Sequence, residues 1–159
     1  MLPISGNKLA KILAGLRVKG RRVVFTNGCF DLLHVGHVRY LNAARKKGDL
    51  LVVAINTDES VRRLKGPKRP LVPQAERAEI LGGLEAVDYV TFFGEDTPAE
   101  IIGELKPRVL VKGADYKAQE IVGRDFMQRT GGKLVRIPLA RNYSTSKIIK
   151  DVITKYGNR

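Results

Sequence analysis

An α/β fold, a doubly wound five-stranded parallel sheet of Rossmann-like layout, is what this 159-residue sequence predicts. Two observations lead there. The apolar runs Val23-Val24-Phe25, Leu50 to Ile55 and Val109-Leu110-Val111 lack the polar alternation of a half-solvated strand, as strands buried on both faces do. Between such runs lie segments whose apolar residues recur at helical spacing. Strands alternating with helices of this length give a parallel sheet with right-handed crossovers and helices on both faces. Such a sheet binds ligands at the carboxyl ends of its strands.

In chain order, Leu9, Ile12, Leu13 and Leu16 mark a helix from Ser5 to Val18, with Ser5 as cap and Gly20 as stop; residues 1–20 read as an added outer helix. The first strand, Val23 to Phe25, runs into Thr26-Asn27-Gly28-Cys29, and Val35, Val38, Leu41 and Ala44 then set a helical period. Gly48-Asp49 turns the chain into the second strand, Leu50 to Ile55, which ends at Asn56-Thr57-Asp58. The stretch from Val61 to Pro73, basic and broken by Gly66, Pro67, Pro70 and Pro73, reads as a loop, either a solvated one or a phosphate-binding lid. A helix follows over Gln74 to Leu84 with Arg77 near its start, then a third strand from Val87 to Phe93. Thr97-Pro98-Ala99-Glu100 has the form of a capping box with proline at the first helical position, opening a helix to Leu105. The fourth strand, Val109 to Val111, ends in Lys112-Gly113-Ala114-Asp115-Tyr116; Gln119 to Arg129 reads as helix, closed by Gly131-Gly132, and Leu134 to Ile137 as the fifth strand. A last helix opens at Ser144-Thr145-Ser146-Lys147, where hydroxyls cap free N–H groups and can hold phosphate oxygens.

The chain has only two histidines, His34 and His37, and both fall where the first loop becomes a helix. Imidazoles three residues apart at a helix N-terminus share a side with unpaired backbone N–H groups and the positive end of the dipole. That arrangement suits a phosphate gaining charge in a transition state, because fixed donors lower the barrier without reorganising. Gly36 between them leaves the backbone open to a phosphate. The competing readings are a metal site using the histidines with Cys29 and Asp31, which lacks a second Cys/His cluster, and two unrelated surface histidines.

Composition narrows the classes. The length suits one domain over residues 1–159, and one cysteine excludes an internal disulfide framework and fits a reducing cytoplasm. No stretch approaches the about 18 apolar residues of a membrane span, so no membrane partner is expected. The net charge of +13 fits nucleic acid or small polyanions, but with no tryptophan and scattered Tyr and Phe no stacking platform for single strands emerges. No nucleic-acid partner is therefore expected.

The run GCFDLLHVGH, Gly28 to His37, resembles the G-x-F-D-x-x-H-x-G-H signature of the cytidylyltransferase-like nucleotidyltransferases. With RRLKGPKRP, LEAVDYV, EDTP, VKGADY and STSKII, the chain is most similar within that group to the bacterial D-glycero-D-manno-heptose 1-phosphate adenylyltransferases, which stand alone or form one half of a bifunctional protein with a sugar kinase. The resemblance implies the HxGH nucleotidyltransferase fold, with ATP and a sugar 1-phosphate as partners in a Mg²⁺-dependent reaction. It also implies a cytoplasmic homo-oligomer, a dimer favoured. It casts His34, His37 and Lys65 as catalytic, with Lys68 as the alternative lysine. It puts Asn27, Gly28, Cys29, Phe30, Gly36, Arg77, Lys112, Gly113, Asp115, Ser144, Thr145, Ser146 and Lys147 around ATP, and Asp31 and Lys68 near the second substrate. Where glycerol-phosphate cytidylyltransferases carry R-T-E-G-I-S-T-T, this chain has Leu139-Ala140-Arg141-Asn142-Tyr143-Ser144-Thr145-Ser146, without arginine at the first place or glycine at the fourth, which weakens a CTP-using assignment.

Overall fold

The computed structural model describes residues 3–138 and 143–157; the departures read at residues 139–142 lie outside them. Five parallel strands, β1 (Val23–Gly28), β2 (Leu50–Asn56), β3 (Tyr89–Phe93), β4 (Val109–Gly113) and β5 (Lys133–Ile137), lie in the order β3-β2-β1-β4-β5. The chain winds outward from β1 to β3, then returns to place β4 against the other edge of β1. The order thus reverses between β1 and β4, and a crevice opens above their carboxyl ends.

Helices cover both faces. Because side chains alternate along a strand, Val24 faces one layer and Val23 and Phe25 the other. The first layer packs Tyr40, Leu41 and Ala44 of α2 (Val35–Arg45) and Ala78 and Leu81 of α4 (Gln74–Gly82) onto Val24, Leu51, Val53, Ile55 and Val111. The second packs Leu9 and Leu13 of α1 (Gly6–Val18), Ile101, Ile102 and Leu105 of α5 (Ala99–Leu105) and Met127 of α6 (Arg124–Arg129) onto Phe25, Val52, Ala54 and Leu110. All seven residues of β2 are buried, which is why that strand reads as one apolar run. Leu9 and Leu13, four apart on one face, are 0% exposed, and burying each contributes roughly 1.5–3 kcal/mol. No helix among the described residues is long and apolar enough to cross a membrane.

Local structure departs from the sequence reading in four places. The first half of the expected 61–73 loop is helical, α3 (Asp58–Lys65). The Thr57 side chain accepts the Ser60 N–H at 3.3 Å, Val61 is fully buried, acids lead and bases trail along the dipole, and Gly66 at φ 94° ends the turn. Thr97 forms no capping box: α5 starts at Ala99 with Pro98 at its N-cap position and no side-chain cap bond. Gln119 to Arg129 is not one helix but a 3₁₀ turn, Ala118–Glu120, and the short α6, parted by Gly123 at φ 95°. A Cβ on Gly123 would also meet Ile102 Cδ1 at 2.8 Å and Leu110 Cδ2 at 2.9 Å, so glycine is required there twice over. Finally, β3 starts at Tyr89, because Asp88 turns the chain, accepting the Leu51 N–H at 2.7 Å and pairing with Arg45 at 2.8 Å. At α1, Ser5 holds the N-cap position without a side-chain bond, and Gly20 stops the helix at φ 75°.

Candidate active site

The crevice has two lobes, of about 510 Å³ and about 370 Å³, which share Asn27, Gly28, Cys29, Phe30, His37, Lys65, Lys112, Tyr116 and Thr145 among their walls. The first lobe extends to Asp31 and Ser146, and toward Asp96, Thr97 and Glu120. The second extends to His34, Gly36, Gly113, Asp115 and Ser144. The ends of β1 and β4, the start of α2 and the start of α7 (Thr145–Tyr156) therefore meet at one place.

At the end of β1, Phe30 takes φ 46°, an uncommon value for a bulky residue, costing roughly 1–3 kcal/mol. The ring turns back over Gly28, where a Cβ would lie 3.0 Å from Phe30 Cε2, and meets His37 edge-on with centroids 5.2 Å apart. His34 is the N-cap residue of α2, and its ring stacks on His37 at 3.8 Å, 18° from parallel. Gly36 is needed to seat that ring: its Cβ would sit 2.9 Å from His34 Nδ1. The Nδ1 atoms of both rings are buried without a hydrogen-bond partner among the described residues. Stacking thus orients the imidazoles, with none of the carboxylate or carbonyl partners that metal-bound histidines usually have. Burial, helped by the neighbouring His34, pushes His37 down to about 4, and burial lowers His34 too. At neutral pH both rings are uncharged, and each offers one N–H.

The positive charge comes from elsewhere. Lys65, the last residue of α3, is exposed and borders both lobes. Lys112, on β4, is half-buried; its Nζ donates to Asn27 Oδ1 at 2.5 Å, and burial lowers it to about 8. At α7, Ser144 Oγ accepts the Lys147 N–H at 3.1 Å, and Thr145 Oγ1 donates to Leu32 O at 3.2 Å, tying the helix start to the loop after β1.

Four expectations meet a different geometry. Arg77 borders neither lobe; it is buried beneath them, with its donors on the carbonyls of Val72, Cys29 and Asn56 and on Asp58. Four of the five N–H groups of its fork are thus spent on the protein at that depth. Asp31 touches the first lobe, yet its carboxylate holds the 66–72 loop, accepting Arg69 Nε at 2.5 Å and the N–H groups of Leu71 and Val72 at 2.9 Å. Burial alone would raise it, but those donors outweigh burial and hold it below the usual carboxylate range. Lys68 is exposed and outside both lobes, and Lys147 pairs with Asp151 at 3.2 Å. Cys29 does border the crevice, but burial raises its thiol and its Sγ lies 3.7 Å from Asn56 Oδ1, so it is not poised as a nucleophile.

Three tyrosines also line the crevice. Tyr40 bonds Thr26 Oγ1 at 2.8 Å, locking α2 to β1; Tyr116 has Lys112 Nζ 5.8 Å from its ring; Tyr143 stacks loosely on His34 at 6.3 Å. Tyr40, outside the apolar period read for that helix, both packs in the core and lines the smaller lobe. Tyr116, three residues after Gly113, closes the strand-end loop that the sequence marks.

The cytidylyltransferase-like family profile matches residues 25–151. Among curated proteins, the bifunctional protein HldE of Trichlorobacter lovleyi is 54% identical over 148 residues, covering 93% of this chain and 30% of that one. The bifunctional protein HldE of Geobacter sulfurreducens is 53% identical over 149 residues, covering 94% and 30%. The chain thus spans about 30% of the length of these relatives. Among solved structures, the lipopolysaccharide core biosynthesis protein of Thermoplasma volcanium superposes with a TM-score of 0.64 at 29% identity, over 76% of this chain and 99% of that one.

Proposed function

The chain belongs to the cytidylyltransferase-like family, and from that membership we propose that it transfers AMP from ATP to D-glycero-β-D-manno-heptose 1-phosphate, giving ADP-heptose and pyrophosphate. The observation that carries the chemistry is the convergence of two stacked neutral imidazoles, Lys65, Lys112 and the start of α7 on one crevice. An oxygen of the sugar phosphate attacks the α-phosphorus in line, the bond to the bridging oxygen breaks, and pyrophosphate leaves. The nucleophile is already an anion, so no general base is required. Positioning and charge neutralisation carry the rate. In this reading His34 and His37 donate to the phosphate oxygens that gain charge, while Lys65 and Lys112 neutralise the triphosphate. The smaller lobe, lined by Tyr40 and Asp115, takes the nucleoside, and the larger one, with Asp96 and Glu120, takes the polyhydroxylated sugar, Tyr116 standing between them.

The donor set fits a Mg²⁺ that arrives on the nucleotide. Asp115 is the one carboxylate among the residues lining the smaller lobe, and no cluster of three metal-ligating side chains occurs among the described residues. Held chiefly by phosphate oxygens and water, the ion would neutralise charge across them. The sugar is supported by the likeness to the HldE proteins and to the T. volcanium lipopolysaccharide core biosynthesis protein. Incubating the chain with Mg²⁺, ATP and heptose 1-phosphate should release pyrophosphate and yield ADP-heptose by mass spectrometry, with CTP much the poorer donor. Faster turnover of glycerol 3-phosphate with CTP would reject the substrate assignment and leave the nucleotidyltransferase class intact.

Lys112 gives the reaction a pH signature. Its ammonium is lost as pH rises through about 8, so ATP should bind progressively less tightly between about pH 7 and 9, taking up a proton as it binds. Stability of the free protein moves the other way. The unfolded lysine titrates at 10.5, so between about 8 and 10.5 the unfolded state holds more protons and the fold gains stability as pH rises. ATP titrations at several pH values check this, and Lys112→Met should flatten the dependence. For the expected dimer, exposed Val152, Ile153 and Tyr156 on α7 offer an apolar surface; a monomeric mass by light scattering would remove that expectation.

A further inference from the structure

We propose that a cavity at the amino-terminal end of the sheet is a second anion site, built for a free multivalent phosphate of the pyrophosphate or bisphosphate class. The crevice lies where β1, β2 and β4 end. The segments leading into β1, β4 and β5 meet at the opposite end of the sheet, roughly 20 Å away along the strands. There Arg17, Arg21, Arg22, Lys106 and Arg108 surround a cavity of about 370 Å³, and no carboxylate is among its lining residues. Phe126 and Pro107 complete its walls.

The bland account of these cations is that they cap helix ends, since α1, α5 and α6 all finish here. In part they do: Arg17 Nη1 donates to Leu105 O at 2.7 Å and Arg108 Nη1 to Thr130 O at 3.2 Å. Yet a helix C-terminus carries only about half a negative charge, so three of them match about one and a half positive charges. Asp49 matches one more, accepting the Arg22 N–H at 2.6 Å and lying 3.8 Å from its Nε. Its carbonyl also accepts from Arg21 Nη2 at 3.4 Å. Against five cations this leaves roughly two and a half positive charges unmatched around one concavity. Arg17 and Arg108 are held by single N–H groups, so the rest of each fork remains for a ligand, with little ordering still to be lost on binding. The volume lies in the range of small-molecule sites, and a concavity of that size favours a compact free anion over a duplex or a flat headgroup surface.

Calorimetric titration of the full chain with inorganic pyrophosphate tests the site independently of the proposed reaction. Wild type should bind two equivalents, one in the crevice and one here. Lys112→Met should keep the second site and lose or weaken the first. Arg21→Gln with Arg108→Gln, both exposed positions, should weaken the second about tenfold or more while leaving turnover and melting temperature unchanged. Arg21→Gln alone serves if the double variant does not fold, and should weaken the same equivalent. A single equivalent that disappears in Lys112→Met overturns the proposal. So does a second equivalent indifferent to both arginine variants. Tight binding of random duplex DNA or phosphatidylglycerol vesicles that pyrophosphate does not displace overturns it as well, giving this face to a polymer or a membrane.

Discussion

Replacing His37 by alanine should lower turnover by about a hundredfold or more, the loss expected when one preorganised donor to a developing oxyanion is removed. The fold should barely notice. The ring is partly exposed, bonds no protein atom through Nδ1, and contributes an edge contact to Phe30 and a stack on His34, interactions worth about 0.5–1.5 kcal/mol each. A fall in melting temperature of only a few degrees should therefore accompany the large loss of rate. The acid side separates the two effects further. Because His37 is lowered to about 4 from 6.5, the unfolded chain takes up its proton first as pH falls through that window, and the native state loses stability there. The alanine variant should lose less. Turnover close to wild type in a folded His37→Ala protein would remove the imidazole from the chemistry.

Much of the fold was legible because a parallel sheet covered on both faces turns each strand into an apolar run. Leu50 to Ile55 could hardly read otherwise, and glycines at the strand ends marked where the chain turns toward a ligand. The histidine pair was legible for a different reason: two rare residues bracket a glycine that His34 itself requires. What escaped depended on partners distant in sequence. α3 was hidden because Val61 and Leu64 are its only apolar residues, too few to stand out from a charged stretch, although Thr57-Asp58-Glu59 has the form of a helix start. Gly123 was missed because its constraint comes from Ile102 and Leu110, residues of other elements. Asp31 looked like a substrate ligand because the loop it clasps lies about forty residues on. A sequence pattern names charged residues near a site without saying which of them the protein spends on itself.

Arg77 puts that distinction to its hardest test. Its side chain is 0% exposed, and the fork reaches Val72 O at 2.9 Å, Cys29 O at 2.5 Å, Asn56 O at 2.9 Å and Asp58 Oδ1 at 2.7 Å. One residue on α4 thereby ties the loop after β1, the end of β2, the start of α3 and its own approach segment into the floor of the crevice. Arg77→Met keeps the volume and removes every donor, leaving buried carbonyls and a carboxylate unpaired. Breaking a buried charge pair in this way costs about 3–5 kcal/mol. Against a total stability of about 5–15 kcal/mol, that is a large fraction. At roughly 2–4 °C per kcal/mol for a chain of this size, the melting temperature should fall by roughly 10 °C. Arg77→Lys should rescue little, since a single ammonium cannot span the same acceptors. Urea unfolding gives the stability change, and an ATP titration well below the melting temperature reads the site separately. If Arg77→Met instead melted like wild type while ATP affinity dropped about tenfold or more, as loss of a charge-assisted phosphate contact would produce, the guanidinium would belong to the ligand after all and not to the floor beneath it.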